Sequence, residues 1–191
     1  MQETGIFQEL RTSGRLVAAT MTVCCLLYGL AVLAFGQALT PKRACGSLVI
    51  NKRGELIGSE LIAQGFVRPE YFWPRPSAAD YNASSAGGSN LSPTSPELRS
   101  RALGIIAKMG ADSGRPLPAD LATTSGSGLD PHITLAAAKY QAGRVAAARS
   151  VSVETVLELL EKKAKHTGGV FTPEPVVNVL LVNLALNGLE K

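Results

Sequence analysis

Hydrophobic positions along this chain form one long uninterrupted run near its start, followed by shorter periodic stretches. Residues 16–41 contain no Asp, Glu, Lys, Arg or His. An α-helix rises about 1.5 Å per residue, so roughly 20 apolar residues cross a hydrocarbon layer about 30 Å thick. The run therefore predicts a transmembrane helix over residues 16–38. Basic side chains, which favour the headgroup region, close it on both sides: Arg11, Arg15, Lys42 and Arg43.

Two other interpretations of this run are a cleaved signal peptide and a buried helix of a soluble protein. A signal peptide has a shorter apolar core of about 7–15 residues before its cleavage site, and Ala34-Phe35-Gly36 is only a weak candidate for such a site. A helix that is apolar on all sides needs protein all around it, which roughly 150 further residues hardly provide. The membrane anchor is therefore the favoured interpretation.

The orientation of the anchor is left open by the charges alone. Basic residues beside a span mark its cytoplasmic side, and two of them flank the run at each end. Including Lys52 and Arg53 would favour a cytoplasmic C-terminal domain. Large domains, however, cross the membrane largely regardless of their charge.

The pattern after the run predicts one compact α+β domain over residues 44–191. Roughly 145 residues suffice for one such domain and are too few for two. Two β-prone runs, 46–50 and 55–59, enclose a turn that ends at Gly54 and predict a β-hairpin. Three to four helices are predicted after it: from Ser95-Pro96 to about Met109, from Asp130-Pro131 to about Arg149, after Ser152, and over 176–186, where a strand is the other possibility.

Long irregular segments separate these elements. Residues 64–96 and 111–128 are rich in Pro, Gly and Ser, and loops of that length in a small domain are usually functional or disordered. The aromatic cluster around Trp73 favours an ordered surface. A local core or a partner is expected to cover this side chain, since exposing it to water is unfavourable.

Composition narrows the classes of function. The chain has 19 basic and 15 acidic residues, a net charge of +4, without a basic block, so nucleic acid is not an expected partner. Of three cysteines only Cys45 lies outside the apolar run, which excludes a disulfide within the domain. With only His132 and His166 as histidines, ligands for a structural zinc site are lacking.

Ser127, Asp130 and His132 place the three residue types of a catalytic triad within six positions. The nucleophile elbow of hydrolases has the pattern G-x-S-x-G, and here Gly126 directly precedes the serine. The favoured interpretation is that Asp130 caps a helix and that the glycines form a turn. A membrane-anchored serine hydrolase that uses Ser127 and His132 is the alternative hypothesis.

Residues 87–90, Gly-Gly-Ser-Asn, are a candidate anion-binding loop, because successive backbone N–H groups around glycines can hold a phosphate. The segment lacks the lysine and the glycine spacing of a Walker loop, and a surface turn is the ordinary interpretation. Arg75 and Arg144 are candidates for fixed ion pairs or interface contacts.

Several motifs in a fixed order point to one known family. On these motifs, which extend over nearly the whole chain, the sequence resembles the C subunit of the Kdp-type potassium-transporting P-type ATPase of bacteria. Pro74 departs from the glycine expected before Arg75. The motifs are the N-terminal anchor, residues 46–49, 58–66, 75–78, 81–82, 87–91 and 125–133, Gln141 with 144–146, 177–179 and 183–186.

The resemblance implies an inner-membrane complex of four components. A channel-like subunit selects K⁺, a P-type ATPase subunit is phosphorylated and drives transport, and a very small peptide stabilises the assembly. It also implies that residues 1–15 are cytoplasmic and that the domain lies outside the cytoplasm, where it caps the channel-like subunit. A role as a catalytic chaperone that raises the ATP affinity of the ATPase subunit is a further implication.

The expected chemistry is that of a non-catalytic subunit. No catalytic residue or metal ligand is assigned, K⁺ is the ion transported by the complex, and ATP belongs to the ATPase subunit rather than being bound tightly here. Because ATP is cytoplasmic, an extracytoplasmic domain would act on its affinity through coupled conformations. Assembly and capping are therefore the favoured mechanism. The candidates for partner or nucleotide association are Arg75, Tyr81, Asn82, Gly87, Gly88, Ser89, Asn90, Gln141 and Arg144.

Overall fold

The computed structural model describes residues 5–51, 53–167 and 174–188. It divides into two units with the boundary between Leu48 and Val49, a few residues after the predicted start of the domain. Residues 1–4 of the predicted N-terminal segment and residues 52, 168–173 and 189–191 of the predicted domain lie outside the described residues. The predicted combination of a long apolar N-terminal helix with mixed helices and strands is confirmed.

The first unit contains one continuous helix, Ile6–Leu39, of 34 residues. It consists of α1 (Ile6–Met21), a π-helical turn (Thr22–Leu27) and α2 (Tyr28–Leu39). Its most apolar stretch has a mean hydropathy of 2.3 and no buried residue. At about 1.5 Å per residue the helix is longer than a hydrocarbon layer is thick, so its ends can reach the headgroups. The short helix α3 (Pro41–Ala44) follows it.

The second unit is built from two small sheets and five helices among the described residues. Strands β1 (Leu48–Ile50) and β2 (Leu56–Ser59) form the first sheet, as the hairpin pattern predicts. Strands β3 (His132–Thr134) and β4 (Val176–Asn178) form the second. The helices are α4 (Pro96–Met109), α5 (Ala119–Ala122), α6 (Leu135–Arg149), α7 (Val153–Lys163) and α8 (Val179–Asn187).

The second sheet is antiparallel, and each of its strands runs directly into a helix. Ile133 pairs with Val177 at the centre of the sheet. Thr134 then caps α6 by accepting a hydrogen bond from the Ala137 amide at 3.1 Å. Asn178 caps α8 in the same way through the Leu181 amide at 3.1 Å. Such caps satisfy backbone donors that have no partner within a helix.

Two predicted helix starts are wrong because a short strand precedes each helix. The helix predicted from Asp130-Pro131 begins at Leu135, and the run over 176–186 begins with a strand before α8. Asp130 does not cap α6. Its carboxylate accepts a hydrogen bond from the His132 amide at 3.0 Å and so forms a turn before β3. The pairing of β3 with β4 joins residues far apart in the chain, which local capping patterns do not reveal.

The core lies where α6, α7 and α8 pack with the second sheet. Alanines on α6 let the neighbouring elements approach closely, because Ala137, Ala138 and Ala142 are completely or almost completely buried. Apolar side chains from the other elements fill the space around them. The fully buried ones include Phe72, Leu121, Ile133, Val156, Leu160, Val177, Val182 and Leu186.

An irregular segment, residues 69–73, is held against this core and is called the bound segment below. Phe72, at 1% exposure, lies in its middle. The amide of Phe72 donates to Oδ1 of Asn183 at 2.8 Å, and its carbonyl accepts from Nδ2 of Asn183 at 3.0 Å. Asn183 is itself buried, at 2% exposure. One side-chain amide on α8 therefore replaces a neighbouring strand for this backbone unit.

We expect Asn183→Leu to destabilise the domain by about 3 kcal/mol, because it keeps the side-chain volume but leaves the buried amide and carbonyl of Phe72 unpaired. Urea unfolding of the full chain in detergent, followed by tryptophan fluorescence, measures the loss. Asn187→Leu on the same helix is the matched control. Its side chain is exposed and makes one bond, to Arg149, so the loss should stay below about 1 kcal/mol. Equal losses in the two variants would contradict the role of Asn183.

Candidate functional site

Most of the candidate residues lie on two loops that are bonded to each other, residues 75–90 and 123–130, called the loop pair below. The Ser125 amide donates to the Pro76 carbonyl at 3.1 Å, and the Gly87 amide donates to the Ser127 carbonyl at 2.8 Å. The hydroxyl of Ser77 donates to the Gly128 carbonyl at 2.6 Å. The two motifs therefore form one local structure.

The glycines of the loop pair allow a close approach of the two backbones. A Cβ atom at Gly88 would lie 2.9 Å from the Gly126 carbonyl oxygen. A Cβ atom at Gly128, where φ is +69°, would lie 2.7 Å from the Gly87 carbonyl oxygen. Both distances are shorter than a side chain tolerates, which gives these glycines a packing role whether or not an anion binds. The Gly87 amide is already bonded, and the proposed anion-binding role stays a prediction.

Arg75 connects the loop pair electrostatically. Its Nη1 lies 3.6 Å from Oδ2 of Asp130, and its Nη2 donates to the Thr124 carbonyl at 3.3 Å. The hydroxyl of Tyr81 donates to the Arg75 carbonyl at 3.0 Å. Burial, with a smaller contribution from Asp80, raises the pKa of Tyr81, so this phenol stays protonated and remains a donor.

Asp130 is a carboxylate that lies between the guanidinium of Arg75 and the ring of His132. Burial raises its pKa, but hydrogen bonds from the ring and the amide of His132 and the charge of Arg75 outweigh burial, so the net pKa of Asp130 is lowered. Nδ1 of His132 lies 3.3 Å from Oδ1 of Asp130. This arrangement favours the ionised carboxylate.

The three triad residue types do not form a triad in this structure. Ser127 is exposed, and its hydroxyl accepts a hydrogen bond from the Leu129 amide at 3.1 Å. His132 pairs with Asp130 instead, and within the described part of the chain no hydrogen bond joins Ser127 to His132. A general base has to reach the proton that it removes, and the hydrolase hypothesis lacks that support here.

The remaining candidates on the loop pair, Asn82, Ser89 and Asn90, lie at or near the surface of the second unit. Asn82 is exposed, and its Oδ1 accepts from the amide of Ser84 at 3.1 Å and from its hydroxyl at 2.7 Å. Ser89 accepts a hydrogen bond from the Thr124 hydroxyl at 3.4 Å. Asn90 is exposed with φ at 50°. Exposed positions such as Asn82 and Asn90 are the ones that a partner can reach.

Gln141 and Arg144 form a second group, on α6, and both bind the bound segment. Oε1 of Gln141 accepts from the Trp73 amide at 2.9 Å, and its Nε2 donates to the Trp73 carbonyl at 3.1 Å. Arg144 donates through Nη2 to Gln141 at 2.7 Å and through Nη1 to the Tyr71 carbonyl at 3.0 Å. Both polar atoms of Gln141 are thus engaged within the chain. Its association with a partner or nucleotide stays a prediction.

Arg144 is a partly buried cation beside an aromatic ring. Its Cζ lies 3.9 Å from the centroid of the Trp73 ring. Burial lowers its pKa to about 10, so the guanidinium stays charged at neutral pH. The ring face and the carbonyls that it contacts partly replace its lost hydration.

Sequence reasoning missed three residues that complete this arrangement. Asn183 binds Phe72, Arg149 donates to the Glu70 carbonyl at 2.7 Å, and Lys108 lies 4.7 Å from the centroid of the Trp73 ring. A signal for Asn183 was present, because it is the only polar residue in the apolar run 179–186. The two cations carried no comparable signal.

Within the described residues, no three His, Cys, Asp or Glu side chains form a group that could hold a metal ion.

Comparisons with known proteins agree on one family. A family model described as the c chain of K⁺-transporting ATPases matches residues 10–188. A protein of Parvibaculum lavamentivorans named potassium-transporting ATPase KdpC subunit is 51% identical over 176 residues, covering 92% of this chain and 94% of its own. Proteins of the same name from Myxococcus xanthus and Gloeobacter violaceus are 46% and 43% identical, covering 95% and 96% of this chain and 89% and 98% of their own.

We expect Gly128→Ala to destabilise the domain by about 2 kcal/mol or more. The alanine backbone would have to keep the left-handed conformation of Gly128, and its Cβ atom would press on the Gly87 carbonyl. Gly143→Ala is the matched control. Gly143 lies in α6 with open space around its Cα, so alanine should stabilise by about 0.5–1 kcal/mol. Urea unfolding of both variants measures the change in the free energy of unfolding. A change of the same sign in the two variants would contradict the packing role of Gly128.

We expect Asp130→Asn to remove part of the acid sensitivity of folding. A carboxylate with a lowered pKa contributes stability above its unfolded pKa, near 3.8, and loses it as the pH falls through the folded value. The contribution at neutral pH should be below about 1 kcal/mol, because the pair is partly exposed. Unfolding free energies measured between about pH 2 and 6 should show a shallower slope for Asp130→Asn, whereas an unchanged slope would contradict the lowered pKa. Glu97→Gln, at an exposed position, is the control.

Proposed function

Because this chain belongs to the family of the c chain of K⁺-transporting ATPases, we propose that it is an accessory subunit that assembles and caps an ATP-driven K⁺ uptake complex in the inner membrane. The observation that carries the proposal is its single long apolar helix, Ile6–Leu39, with no acidic or basic side chain after Arg15. Such a helix offers an ion no pathway of its own. Transport would then proceed through other subunits.

The proposed partners are a channel-like subunit that selects K⁺, a P-type ATPase subunit and a very small stabilising peptide. The second unit would lie outside the cytoplasm over the ion entrance of the channel-like subunit. Few residues separate the end of the apolar helix at Leu39 from the start of the second unit at Val49, so an anchored helix would tether the domain to the membrane. The proposed partner contacts are Asn82 and Asn90, which are exposed positions of the loop pair, and Arg75.

The proposed effect on the ATP affinity of the ATPase subunit is indirect. Cytoplasmic ATP does not reach an extracytoplasmic domain, so the effect would be a coupling between conformations of the subunits. Support comes from the hydrogen bonds of Gly87 and Gln141, two of the candidates for nucleotide association. The Gly87 amide is bonded to Ser127, and both polar atoms of Gln141 are bonded within the chain. In this role Gln141 and Arg144 would hold the bound segment in shape.

We expect deletion of this chain to abolish K⁺-stimulated ATPase activity in purified membranes, because the remaining subunits would not assemble stably. Restoring the full chain should restore the activity. Ser127→Ala should restore it equally, because among the described residues the Ser127 hydroxyl bonds only to the Leu129 amide. Activity that survives the deletion would contradict the proposal. Labelling of the wild-type chain by a serine-directed probe, lost in Ser127→Ala, would favour the hydrolase hypothesis instead.

A further inference from the structure

A small cavity of about 70 Å³ lies between the end of α4 and the side of α6. Three cationic side chains, Lys108, Arg115 and Arg144, line it together with the rings of Trp73 and Tyr140. We call it the cationic notch. No acidic residue is among those that line it.

Each of the three cations lies over an aromatic ring that lines the notch. Lys108 and Arg144 both lie over the ring of Trp73, with Nζ at 4.7 Å and Cζ at 3.9 Å from its centroid. Cζ of Arg115 lies 4.3 Å from the centroid of the Tyr140 ring. Like charges gathered around one small cavity repel each other. An anion between them would remove that repulsion.

Among the described residues, no carboxylate forms an ion pair with these three cations. The ion pairs of the described residues use other arginines and lysines: Arg68 with Glu70, Arg75 with Asp130, and Lys139 with Glu161. The carboxylate nearest to Arg115 in sequence belongs to Asp112. Its Oδ1 accepts hydrogen bonds from the amides of Gly114 at 2.8 Å and Arg115 at 2.9 Å. The notch is therefore an excess of positive charge within the described residues.

Arg144 adds a second observation in favour of a missing anionic ligand. Its guanidinium donates to neutral acceptors, Gln141 and the Tyr71 carbonyl. Burial lowers its pKa, so this cation has lost water without gaining a carboxylate among the described residues. An incoming carboxylate would supply the missing negative charge.

We infer that the cationic notch binds a carboxylate side chain of a partner subunit, with Lys108 and Arg115 as its ion-pair partners. Both side chains are exposed, so a partner can reach them. The volume equals about two water molecules, which suits a carboxylate group and is too small for a nucleotide. The identity of the occupant as a subunit of the complex depends on the proposed function, whereas the affinity of the notch for a carboxylate does not.

The first experiment uses Trp73, the only tryptophan of the chain, as a reporter. In the full chain in detergent, sodium acetate replaces sodium chloride at constant ionic strength. The fluorescence should change saturably, and the midpoint should rise about tenfold or more in Lys108→Met with Arg115→Met, since two charge-assisted contacts are lost. Arg99→Met with Lys162→Met, at exposed positions outside the notch, should leave the midpoint unchanged. A response without saturation, or equal in both pairs, overturns the inference.

The second experiment tests the occupant in the assembled complex. Lys108→Glu with Arg115→Glu should reduce the amount of partner subunits that copurify about tenfold, because a carboxylate would then face two others, while Arg99→Glu with Lys162→Glu should not. Full copurification of partner subunits with the Lys108→Glu, Arg115→Glu variant overturns the inference. In the fluorescence titration, saturation by ATP at a lower concentration than by acetate also overturns it, because the notch would then be assigned to nucleotide. If the wild-type chain copurifies with no subunit, the proposed function fails, and the acetate titration still decides whether the notch binds carboxylate.

Discussion

The second unit depends on how it satisfies the backbone of the bound segment, which pairs with no strand. Each of its five carbonyls accepts a hydrogen bond from a side chain of α6 or α8. Arg144 serves residues 69 and 71, Arg149 serves residue 70, Asn183 serves residue 72 and Gln141 serves residue 73. A buried carbonyl without a partner costs stability, so these four side chains allow an irregular segment to cover the core. No disulfide contributes to this, since residues 49–191 contain no cysteine.

This arrangement also orders the loop pair, because the chain passes directly from the bound segment into residues 75–90. Arg75 follows Trp73 by two positions, and its ion pair with Asp130 joins the first loop to the turn before β3. Asp130 in turn holds His132, the first residue of β3. The candidate residues thus form a continuous chain of contacts from α6 to the second sheet. A change in the contacts of Gln141 and Arg144 could therefore shift the loop pair through these contacts.

The sequence predicts the features that depend on neighbouring residues. The absence of charge over residues 16–41 predicts the long helix, and Pro96 and Gly110 mark the observed ends of α4. It does not predict the pairing of β3 with β4 or the contacts of the bound segment, because these join residues widely separated in the chain. The resemblance includes Gln141 and Asn183 in its motifs but assigns neither of them a backbone partner. Which backbone they bind is decided by the packing of α6 and α8.

The direction in which the polar groups point limits what kind of function this domain supports. Gln141, Asn183 and the amides of the loop pair are directed at the chain's own backbone, so few interior donors remain for a substrate. What remains outside is of two kinds. Ile50 and Leu56 of the first sheet are exposed apolar residues, and the cationic notch lacks a counter-ion. Burial against a partner would cover the apolar residues, and a carboxylate would neutralise the notch, so the proposed role as a subunit accounts for both kinds of surface.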